Sequence, residues 1–184
     1  MKNNISNYKC KNINLKTTIY MLFLIMVISG FFGFIYETIF YRIDLGYFVK
    51  RGSTFGPWIP IYAFGGLIIT LISYKFRKNI ILEFIINTVV TGTLEYITGY
   101  VLYEYKSIRF WDYNNEIWNF GNINGYICLR SVLFFGFSSL FLIYVIIPYI
   151  KKIVLKISRK KLAIISITLI TIFFIDIIAY AIIK

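Results

Sequence analysis

Lys50–Gly66, reading KRGSTFGPWIPIYAFGG, is flanked by long apolar runs yet cannot itself be a membrane helix. Pro57 and Pro60 break it, Gly52, Gly56, Gly65 and Gly66 loosen it, and Lys50 and Arg51 open it. Backbone of this kind at membrane depth has to be enclosed by protein or line a wet cavity, because lipid offers its N–H and C=O groups no partners. The stretch therefore separates the spans and is the first place to look for function.

Outward from it, the composition is that of an integral membrane protein. The 184 residues are 59% hydrophobic and 20% aromatic, with a mean hydropathy of +0.72, which excludes an ordinary soluble domain. A net charge of +12 would point to nucleic acid in a soluble protein. Here Lys and Arg cluster at the ends of apolar runs, so the lipid bilayer is the expected partner and nucleic acid is not. Histidine is absent, which removes the usual imidazole base and metal ligand. No cofactor or metal site is expected. Cys10 and Cys128 fall on opposite sides of the membrane in the topology below and cannot pair within one chain.

Residues 1–16 form a polar N-terminal segment carrying Lys2, Lys9, Lys11 and Lys16, and residues 17–184 read as a single transmembrane helical domain. The first apolar run, 17–41, exceeds a signal-peptide core of roughly 7–15 residues and no small-residue cleavage site follows it, so a retained helix is expected. Further spans are expected at 59–74, 80–103, 126–149 and 162–183. The fold class is all-α, a polytopic bundle of about five spans with two structured outward loops. Thirteen Lys and Arg lie in the N-terminal segment, the Lys75–Lys78 turn and the Lys151–Lys161 loop, against six at the other side. That asymmetry predicts a cytoplasmic N-terminus and an outside C-terminus. The Lys151–Lys161 segment reads as a loop, or a short amphipathic helix within it.

Glu37, Glu83, Glu95 and Asp176 lie in or near apolar runs, where ionisable groups are costly and are functional candidates by default. Glu83 reads as a helix-end contact near Lys78. The other three, with Arg51 and Arg130, fall in the expected outer half of the membrane. Two readings stay open. In one, Arg51 and Arg130 neutralise Glu37, Glu95 or Asp176 and fix the helix packing. In the other, the charges line a cavity open to the outside. Glu95 and Glu104 are nine residues apart, about 13 Å along a helix and on opposite faces, so they do not form a paired-carboxylate catalytic site. The following loop, EYKSIRFWDYNNEIWNFGNING from Glu104 to Gly125, packs Trp111 and Asp112 into a run too specific for an interfacial aromatic belt.

Five motifs carry a family resemblance: FIYE ending at Glu37, RGxxxGPxxPIY from Arg51 to Tyr62, EYxTxYxxxE from Glu95 to Glu104, WDY from Trp111 to Tyr113, and NxNGxxCL from Asn122 to Leu129. In their order and spacing the chain resembles the putative ABC-transporter permease family of type IV. It departs where that family tends to have Asn, His and Cys in the first loop and Arg before the Cys, having Lys50, Phe55, Ile59 and Tyr126. The resemblance implies a bacterial plasma-membrane permease subunit. With no GxxxxGK[ST] phosphate loop in this chain, it would need a separate ATPase subunit. The alternatives are a membrane enzyme or lipid-binding protein with an outward Glu/Arg site, or a non-catalytic subunit of an envelope complex. Gly92, Gly99 and Gly136 would suit a homo-oligomer. The motif positions Gly52, Gly56, Pro57, Pro60, Tyr62 and Asn124 join Glu37, Arg51, Glu95, Glu104, Trp111, Asp112 and Arg130 as candidate site residues. No nucleophile pattern such as GxSxG accompanies them.

Overall fold

In a computed structural model, which describes residues 14–184, Asn14 sets where the first helix begins. Its side chain accepts the Thr17 amide at 3.0 Å, satisfying one of the orphan donors of helix α1, Leu15–Leu45. Gly46 ends α1 with a φ of 80°, a left-handed closure that costs a residue without Cβ little. Its 31 residues extend ~46 Å, beyond the ~30 Å of a hydrocarbon core.

The chain then runs back along α1 instead of turning at its end. The Ile59 amide donates to the carbonyl of Gly30 at 3.1 Å, midway along α1, and helix α2, Pro60–Ser73, starts there. A Cβ on Gly30 would meet Ala63 Cβ at 3.2 Å and Trp58 Cβ at 3.3 Å, so a glycine suits this close approach. Pro60 opens α2 where its missing N–H costs nothing. Lys50–Ile59 is thus a re-entrant segment, which is why α2 has only 14 residues.

A single 3-10 turn, Tyr74–Phe76, leads to helix α3, Ile80–Lys106, whose cap Asn79 accepts the Leu82 amide at 3.1 Å. Helix α4, Leu129–Phe141, passes through a π-helical turn, Leu142–Ile146, into α5, Ile147–Lys156. Pro148 explains the irregularity, since it brings no N–H to the preceding turn and the wider winding absorbs the missing bond. Helix α6, Arg159–Ile183, begins at Ser158, whose hydroxyl accepts the Lys161 amide at 3.3 Å.

The bundle is all-α, as expected. Four stretches, Leu15–Leu45, Ile80–Lys106, Leu129–Lys156 and Arg159–Ile183, are long and apolar enough to cross a membrane, and Pro60–Phe76 is a shorter fifth. Of the two readings of Lys151–Lys161, the amphipathic helix holds over its first half: the fourth span continues as a helix to Lys156, and only 157–158 interrupt the chain before α6. Ile147, Ile150 and Val154 recur at helical spacing and are buried, while Lys151, Lys152 and Lys156 stay exposed, so the amphipathic face holds the helix together.

Helix α1 packs on α2, α5 and α6, and α3 packs on α2 and α4. One core cluster joins Ile25, Ile143 and Leu162, and another joins Met26, Ala63 and Phe173. Leu71, Val89, Ile97, Phe137 and Ile175 remain exposed, as suits helices immersed in hydrocarbon. The long connections 46–59 and 107–128 lie at one end of the bundle with the last turns of α6, the loop end. The turns at 74–79 and 157–158 lie at the other. Cys128 is a buried free thiol, whereas Cys10, Lys2, Lys9 and Lys11 lie outside the described residues.

Candidate functional site

The re-entrant segment brings Arg51 onto α1. Its Nε lies 3.0 Å from Glu37, its Nη2 donates to the Phe110 carbonyl at 3.1 Å, and its plane covers the Tyr41 ring at 3.6 Å. Both charged side chains are mostly enclosed, at 17% and 16% exposure, so the pair is shielded from the solvent that weakens surface ion pairs. Tyr62, on α2, faces the same part of α1, its ring 6.4 Å from that of Tyr36.

From Tyr41 the network continues inward. Its hydroxyl donates to Glu116, and Arg130 holds the other carboxylate oxygen of Glu116 at 2.6 Å. Arg130 is stacked over Phe40 at 3.9 Å and faces Tyr113 at 5.4 Å. Tyr113 in turn donates to Glu95, whose second oxygen accepts the Ser131 hydroxyl at 2.9 Å. Burial pushes the Tyr113 phenol well above its ordinary range, with the Glu95 carboxylate adding to the effect. Three acids from α1, α3 and the second connection are therefore linked to two arginines through tyrosines and a serine.

Sequence reasoning placed the arginines but not all of their partners. Arg51 takes Glu37, as one open reading had it. Arg130 takes Glu116, neither Glu95 nor Asp176, because the 107–128 connection folds back over the start of α4. Glu116, Tyr41 and Ser131 were missed, and no spacing rule marks them, since their meeting depends on the path of a connection rather than on helix periodicity.

Asp176 has a different task. Its carboxylate accepts the amides of Phe55 at 2.9 Å and Gly56 at 2.8 Å and the Trp58 indole N–H at 2.6 Å. An intramembrane acid thus supplies the re-entrant backbone with the partners that lipid withholds. Thr54 closes the segment by donating to the Trp58 carbonyl at 2.6 Å. Gly56 is required by space, as a Cβ there would lie 2.7 Å from the Trp58 ring and 3.0 Å from Asp176. Gly52 has a φ of 87°, while Pro57 is exposed.

The second connection largely satisfies itself. Asp112 pairs with Arg109 at 2.7 Å and accepts the Asn114 amide at 3.1 Å. Asn124, at φ 52°, contributes its carbonyl to Arg109 at 3.4 Å, and Trp111 donates to the Tyr126 carbonyl at 3.0 Å. Tyr126 donates to Glu104 at 2.5 Å; that bond, with burial, pushes its phenol up to about 12. Glu104, Asp112 and Asn124 therefore pair locally on the rim, apart from the interior network.

Glu83 lies in the first turn of α3, as the helix-end reading had it, and it is fully buried, with its partner Tyr144 at 2.7 Å supplied by the π-helical turn. One turn on, both amide atoms of buried Asn87 have no protein partner.

Two cavities adjoin the network. The first, about 430 Å³, is lined by Glu37, Lys50, Arg51, Ser53, Arg109 and Trp111 among others. The second, about 280 Å³, is bounded by α1, α2, α3 and α4 and lined mainly by apolar groups such as Phe32, Ile35, Phe134 and Leu142, with Glu95 at its wall. Among the described residues no cluster of acids and thiols could hold a metal ion.

Apolar helices with a re-entrant segment and charges enclosed at one end define a polytopic α-helical membrane protein. The chain belongs to the family described as Putative ABC-transporter type IV, which matches residues 21–181. No curated protein and no solved structure matches the chain.

Proposed function

We propose that the chain is the permease subunit of an ATP-driven transporter in a bacterial plasma membrane, with its ligand entering the cavity of about 430 Å³ at the loop end. That cavity is the observation that carries the reading. Its volume lies in the roughly 300–1,000 Å³ range of small-molecule sites, and its walls carry Glu37, Lys50, Arg51 and Arg109, ionisable groups of the kind that mark ligand pathways in membrane proteins.

The excess of Lys and Arg at the turn end favours that end as cytoplasmic, with the cavity and the C-terminus outside. ATP hydrolysis then belongs to a separate subunit, docked on the exposed cations Lys75, Arg77, Lys160 and Lys161. The experiment is purification of the tagged chain from its native membrane in mild detergent, followed by mass spectrometry. A stoichiometric ATPase whose hydrolysis depends on this chain is expected. A homo-oligomer without an ATPase would overturn the reading.

A further inference from the structure

We propose that the site takes a single-chain anionic amphiphile, its charged head in the cavity at the loop end and its hydrocarbon tail in the apolar cavity beneath. The inference rests on the reading of that cavity as the ligand site, and it names the ligand's class.

The head chamber selects for negative charge. Lys50, Arg51 and Arg109 line it against one carboxylate, Glu37. Arg51 is held by Glu37 and Arg109 by Asp112. Lys50 makes no ion pair among the described residues; its ammonium lies 5.2 Å from the Phe55 ring and 5.9 Å from the Tyr180 ring. The lining is therefore net positive, so an incoming phosphate or carboxylate receives charge-assisted hydrogen bonds that an uncharged head cannot, and the trimethylammonium of a zwitterionic head is disfavoured beside the same cations.

The tail chamber selects for hydrocarbon. Ile61 and Leu94 line both chambers, so the two adjoin at these side chains. Its remaining lining is dominated by aromatic and aliphatic side chains, so water gains little there and an alkyl chain gains from leaving water. Gly65 supplies part of the space. A Cβ there would meet only Leu94, at 3.8 Å, so a larger side chain can grow into the cavity without displacing backbone. Two adjoining chambers of opposite character fit an amphiphile better than they fit a soluble anion or a neutral lipid.

The test uses the full-length protein in non-ionic detergent, with lysophosphatidylglycerol, lysophosphatidylcholine of the same chain, and glycerol phosphate as probes, read by native mass spectrometry and thermal shift. Lysophosphatidylglycerol is expected to bind one per chain, about tenfold or more tighter than either other probe. Lys50→Gln, at an exposed position, should reduce the preference for the anionic head. Gly65→Val should weaken binding of the chained probes alone. Equal binding of the two lysolipids overturns the head assignment, and equal binding of glycerol phosphate shows a soluble-anion site and overturns the amphiphile. If both variants bind as wild type, the chambers are not the site. The transporter reading fails separately: an ATPase that copurifies while the lipids are not discriminated overturns only the ligand class, and discrimination without an ATPase overturns only the transporter.

Discussion

The guanidinium of Arg130 meets the carboxylate of Glu116 at 2.6 Å across a fourteen-residue separation, with exposures of 15% and 6%. The pair ties the second connection to the start of α4, and Tyr41 on α1 binds the same carboxylate. Glu116→Ala should therefore leave a desolvated cation. The expected loss is about 3–5 kcal/mol, typical of breaking one side of a buried pair, measured as thermal or denaturant unfolding in detergent. The double variant Glu116→Gln with Arg130→Met should recover part of it. Single variants as stable as wild type would show that the pair contributes nothing.

Asp176 should behave as a structural acid. Asp176→Leu removes three bonds to a charged acceptor, each worth roughly 1.5–3 kcal/mol, from backbone that lipid cannot rescue. Hydrogen exchange should rise at Phe55 and Gly56, and the Trp58 emission should shift. Unchanged protection at both amides would contradict this assignment.

Helices α1 and α2 approach closely at Gly33, where a Cβ would lie 2.6 Å from Tyr62 Cβ. Gly33→Ala should force them apart and cost about 1–3 kcal/mol, the usual range for overpacking. Gly46→Ala provides a contrast, since nothing lies within 4 Å of a Cβ there and the cost arises only from its φ of 80°. Equal destabilisation by the two would argue against the close approach.

Tyr126 gives a pH signature. The unfolded phenol titrates near 10, and Glu104 with burial raises the folded value to about 12. A raised value favours the protonated folded form, so the contribution is complete below about pH 10 and fades as pH climbs through about 12. Tyr126→Phe lacks the bond at every pH. The stability gap between wild type and variant should narrow across that window, and a constant gap would assign the difference to packing.

Charge reversal at the turn end tests coupling. Lys160 and Lys161 are exposed, so Lys160→Glu with Lys161→Glu should change stability by less than about 0.5 kcal/mol while reducing recovery of the ATPase. Full recovery would place the docking surface elsewhere.

How much was legible beforehand differs by element. The apolar runs located α1, α3 and α6 within a few residues, and the prolines and glycines of Lys50–Gly66 marked a break that the structure confines to Lys50–Ile59, since Pro60–Gly66 belongs to α2. The pairing of Glu37 with Arg51 was open to sequence because both fell in the expected outer half of the membrane. Glu116 was not, because the path of 107–128 is set by Asx bonds and by left-handed residues such as Ser107 and Trp118, which leave no periodic trace. The amides held by Asp176 carry no sequence signature at all. Lys151 and Lys152 left their segment open between a loop and a short amphipathic helix, because the buried spacing that decides it begins at Ile147 and Ile150, inside the fourth span.

The π-helical turn at Leu142–Ile146 constrains how many residues the chain holds there. Such a turn contains one residue more than an α-helical turn, so everything after it is rotated by ~100° relative to an uninterrupted helix. Ile147, Ile150 and Val154 are buried on that rotated face. If the same residues wound as an unbroken α-helix, those three would swing outward and the neighbouring lysines would come toward the core, whereas deleting one residue within 142–146 would let α-helical winding return with Ile147, Ile150 and Val154 still facing inward. Residue count and winding in this turn are therefore coupled: the downstream face stays in place only when the two change together.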